Sequence, residues 1–107
     1  MDLSELNQEI YIIITTEIDK ETAYKLANLL LDEKLIPCVT FKNIESYFWW
    51  KGNINQSKEV QLMIKCKKEN VNKVCNKIAQ LHSYEIPEII YFRVSASKNY
   101  HHWVNSI

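Results

Sequence analysis

From Ile10 to Thr16 the chain runs IYIIITT, apolar or β-branched at every position, which predicts a strand buried on both faces. The period then changes. In DKETAYKLANLLLDEKL, the residues Ala23, Leu26, Ala27, Leu30 and Leu31 share one helical face. With Asp19 as N-cap and Glu21 in the first turn, the segment predicts an amphipathic helix of about four turns, ended by Pro37. CVTFKNIESYFWW follows as an extended run up to Gly52, the only glycine. Beyond it, Val60, Leu62, Ile64 and Cys66 alternate with Gln61, Met63 and Lys65, the period of two of a strand with one face more buried. Lys51-Gly52 therefore reads as the tip of a long hairpin, glycine supplying the positive backbone angle that a two-residue turn requires.

Val71, Val74, Cys75, Ile78 and Leu81 form a second helical stripe, Pro87 precedes a last strand EIIYFRVS, and NYHHWVNSI carries Tyr100, Trp103, Val104 and Ile107 at helical spacing. The order strand, helix, strand, strand, helix, strand predicts an α+β fold, the ferredoxin-like split βαβ sandwich, with a long β2–β3 hairpin and a short C-terminal helix. One domain spans residues 1–107, with residues 1–8 expected to be disordered.

Neighbouring residues of a strand point to opposite faces, so Trp49 and Trp50 cannot both enter one core. One is expected to face its own subunit and the other a neighbour. Phe48, Trp49, Trp50 and, on the terminal helix, Trp103 are thus the expected interface of a homo-oligomer assembled sheet edge to sheet edge.

Thirteen basic and thirteen acidic residues cancel, so no global field attracts nucleic acid or an anionic membrane. Neither YIIITT nor YFRVSA carries the RNP pattern of RNA-recognition sheets. The first sixteen residues, MDLSELNQEIYIIITT, carry acids where a secretory signal is basic, and their apolar run is too short for a signal core or a membrane span. A cytoplasmic address is expected. Cys38, Cys66 and Cys75 form no CxxC pair and read as reduced, packed thiols.

The densest polar cluster is LHSYEIPE, in which His82, Tyr84, Glu85 and Glu88 leave a helix around Pro87. Such a corner suits a metal, an acid/base pair or a hydrogen-bonded turn. Zinc spacings such as HExxH are absent. Copper needs no local motif, because thiolate and imidazole from distant strands or different subunits can converge on it, which makes Cys38 and His82 its candidate ligands. No phosphate-cradling loop or GxSxG nucleophile elbow is present, and no enzyme is expected.

CVTF through SYFWWKGN, KEVQLMIK, LHSYEIPEII and YHHW together resemble the CutA family, the divalent-cation tolerance proteins, over essentially the whole chain. The resemblance implies a single CutA-like domain, a PII-like homotrimer, no catalysis, no obligatory cofactor and tolerance of copper or other divalent cations. It carries Cys38 and His82 over as metal candidates. Departures are Ser83, where the family usually has proline, and Ile14 to Thr16, where some members carry a cysteine. A second reading is a PII-like sensor whose intersubunit clefts hold a small ligand or protein partner, lined by Glu59, Lys65, Tyr84 and Glu88.

Overall fold

The computed structural model describes residues 3–107. Four strands and three helices follow in the order β1 (Gln8–Glu17), α1 (Lys20–Asp32), β2 (Cys38–Trp50), β3 (Asn53–Cys66), α2 (Val71–Leu81), β4 (Ile90–Ala96) and α3 (Lys98–Asn105). The strands form one antiparallel sheet in the order β2-β3-β1-β4, the ferredoxin-like α+β arrangement that the periodicity predicts. Of the expected disordered lead-in, residues 1 and 2 lie outside the described residues. Leu3–Leu6 instead form a 3-10 turn, and Gln8 already pairs with Ala96.

Ile13, Leu62, Ile64, Leu30, Val74 and Ile78 are almost wholly buried and form the main core between the sheet and α1 with α2. The period of two sends Ile12, Ile14 and Thr16 of β1 to the other face. There α3 covers one end, where Ile10, Ala96 and Val104 make a second small core. The rest of that face carries the half-exposed Ile90 and Phe92.

Helix α1 begins as expected, with Thr22 N–H donating to the Asp19 carboxylate at 2.8 Å. It ends at Asp32, well before Pro37. Leu35 N–H donates to Leu30 O and Lys34 N–H to Leu31 O, a Schellman closure with Lys34 in the left-handed region at φ 57°. The proline therefore follows the stop and does not cause it.

At the hairpin tip Trp50 pairs with Asn53, and Lys51 and Gly52 both have positive φ, 51° and 80°, as a type I′ turn requires. The hairpin reaches beyond the helices and stretches the molecule to 47 Å in its longest dimension. Tyr47, Trp49 and the cross-strand partner of Trp49, Ile54, are each about two-thirds exposed on this extension. Among the described residues, no helix is long and apolar enough to cross a membrane.

Candidate functional site

Strand β1 ends in Thr15, Thr16 and Glu17, all buried. Glu17 is the residue that the sequence reading missed. A carboxylate at the end of an otherwise apolar strand was the available signal, because burial of a charge demands dedicated partners. Those partners come from the chain leaving α2: Ser83 Oγ donates to Glu17 Oε1 at 2.5 Å and Ser83 N–H to Oε2 at 3.3 Å, while Ile18 N–H donates to Oε1 at 3.2 Å.

His82, the C-cap of α2, turns its side chain inward, where it is fully buried. Nε2 lies 2.5 Å from Thr16 O, and Nδ1 accepts from Tyr84 N–H at 3.0 Å. A carbonyl can only accept, so the ring is the Nε2–H tautomer and both nitrogens are engaged. Glu17 Oε2 stands 3.7 Å from Nδ1. The imidazole thus ties the exit of α2 to the end of β1.

That tie carries the next residues across to the sheet face away from α1 and α2. Tyr84 packs on the His82 ring at a centroid distance of 4.9 Å, and its hydroxyl donates to Glu59 Oε2 at 2.6 Å. Burial first, then this bond and the neighbouring carboxylates, push the Tyr84 phenol well above its ordinary value. The phenol therefore stays a donor to Glu59, which is only 8% exposed.

Between this corner and the hairpin lies an open groove of about 950 Å³. Ile44, Ser46, Phe48 and Trp50 of β2 alternate along one wall, opposite Glu59, Ser57 and Asn55 of β3. The segment Tyr84 to Glu88 forms the other. Of the expected cleft residues, the structure brings Glu59, Tyr84 and Glu88 together. Lys65 is not among them: it pairs with Ile12 and Cys38, six residues and about 20 Å along β3 from Glu59.

Nor do Cys38 and His82 meet within one chain. Cys38 opens β2 opposite Lys65 and lines a separate depression with Tyr24, Asn28 and Pro37, whereas His82 is locked at Thr16, at the far end of β1 from Ile12. Among the described residues, no three His, Cys, Asp or Glu side chains converge to hold a metal ion. The two tryptophans separate as their alternation demands. Trp50 is half-buried on the groove wall beside Phe48, and Trp49 is 71% exposed. Trp103 is half-exposed on α3 against Tyr100.

Comparison with known proteins gives one consistent result. The profile of the family described as CutA1 divalent ion tolerance protein matches residues 11–107. The divalent-cation tolerance protein CutA of Pyrococcus horikoshii is 33% identical over 94 residues, 87% of this chain and 92% of that protein. Among solved structures, the periplasmic divalent cation tolerance protein CutA of Archaeoglobus fulgidus superposes with a TM-score of 0.88 at 30% identity, covering 91% of this chain and 96% of that one. CutA of Synechococcus elongatus superposes with a TM-score of 0.90 at 27% identity, covering 99% and 97%.

Proposed function

The chain belongs to the CutA1 divalent ion tolerance family, and on that premise we propose that it is a homotrimer that binds copper or another divalent cation and contributes to metal tolerance without catalysis of its own. The observation that carries the assembly is the hairpin extension, where Tyr47, Trp49 and Ile54 stand about two-thirds exposed among the described residues. Such a contiguous apolar patch on a small domain calls for a partner surface. Strands β2 and β4 are the two open edges of the sheet, so head-to-tail pairing of β2 with the β4 of the next copy closes a ring.

The metal is held between copies in this reading, with Cys38 as the half-exposed soft ligand. His82 would join only by exchanging the Tyr84 N–H on Nδ1 for the ion. Three free cysteines suit a reducing compartment, and the cytoplasm is the address we propose. Sedimentation velocity at micromolar concentration should give a trimer, and a stable monomer would overturn the assembly. Calorimetric titration with copper should show a saturable heat that Cys38→Ser reduces. No saturable heat, or one indifferent to both Cys38→Ser and His82→Ala, would remove the metal site.

A second reading is favoured by one feature: the Glu59–Tyr84 corner builds a ligand-sized groove with convergent polar groups. In that reading the protein is a PII-like trimeric sensor that takes a small ligand or protein partner in its clefts. A thermal shift with a metabolite and none with a metal would favour it.

A further inference from the structure

We draw no further inference here: the strongest candidate, the two free thiols that Cys66 at the end of β3 and Cys75 on α2 bring into the main core, carries nothing, because their nearness shows only in the effect of Cys75 on the Cys66 thiol, and burial pushes that thiol up to about 12, away from the thiolate that oxidation or a soft metal requires.

Discussion

Ser83 Oγ stands 2.5 Å from Glu17 Oε1, joining two residues 66 positions apart and giving a fully buried carboxylate its shortest hydrogen bond. A proline at position 83 would supply neither this hydroxyl nor the N–H that donates to Oε2. Ser83→Ala is expected to cost about 1.5–3 kcal/mol, the range for a hydrogen bond to a charged group, and Ser83→Pro to cost more unless Glu17 is replaced with it. Urea denaturation of the two single variants and of Ser83→Pro/Glu17→Gln checks both statements. Unchanged midpoints would mean that Glu17 is satisfied elsewhere.

His82→Ala removes the donor to Thr16 O and the acceptor of Tyr84 N–H, and leaves a cavity where the exit of α2 meets the end of β1. The expected loss is about 2–4 kcal/mol, with weaker hydrogen-exchange protection at Tyr84. A variant as stable as the parent would show that the imidazole does not anchor this corner.

Lys34 holds a left-handed conformation at φ 57° in the closure of α1. Lys34→Gly should relieve that strain and raise stability by about 0.5–1 kcal/mol, after the extra entropy of glycine in the unfolded chain is counted. A lower midpoint in urea would mean that the lysine side chain contributes more than the strain costs.

Stability should fall in alkali. Burial, with a smaller contribution from Cys75, pushes the Cys66 thiol up from its ordinary 9.0 to about 12. Over that interval the folded state keeps a proton that the unfolded chain releases, so unfolding free energy decreases as pH rises from about 9 and levels off beyond about 12. Tyr84, raised by burial and then by Glu59, acts with the same sign from its ordinary 10.0 upward. Denaturation midpoints followed from pH 7 to roughly 10.5 should decline, and Cys66→Ala should flatten the decline. A slope unaltered in that variant would remove Cys66 as its source.

Trp49 and its cross-strand partner Ile54 contribute nothing to the core of their own chain. Trp49→Ser/Ile54→Ser should therefore leave the fold intact by circular dichroism while shifting sedimentation toward the monomer. A trimer that persists at micromolar concentration would place the interface elsewhere.

The elements themselves were legible in the sequence. The alternation Val60, Leu62, Ile64, Cys66 fixed the buried face of β3, and Lys51-Gly52 marked the type I′ turn, because these signals depend only on neighbours a few residues away. The end of α1 was less legible. Pro37 is the visible stop, but the closure through Lys34 uses backbone hydrogen bonds open to almost any residue able to adopt a positive φ. In the site, the density of polar groups in LHSYEIPE is visible in the sequence, but the partners of those groups are not. Glu17 and Glu59 lie far away along the chain, and nothing local marks which buried carboxylate will meet Ser83 or Tyr84.

By itself, then, the sequence determined the strands, the helices, the hairpin and the split of Trp49 from Trp50, since periodicity and turn chemistry are local properties of the chain. Only the tertiary structure decided that His82 is locked between Thr16 and Tyr84, that Cys38 lies apart from it, and that Lys65 misses the groove that Glu59 and Glu88 share. Strand register and the path of the chain after α2 set those distances. Both are fixed by how the whole sheet packs, which no short stretch of residues encodes.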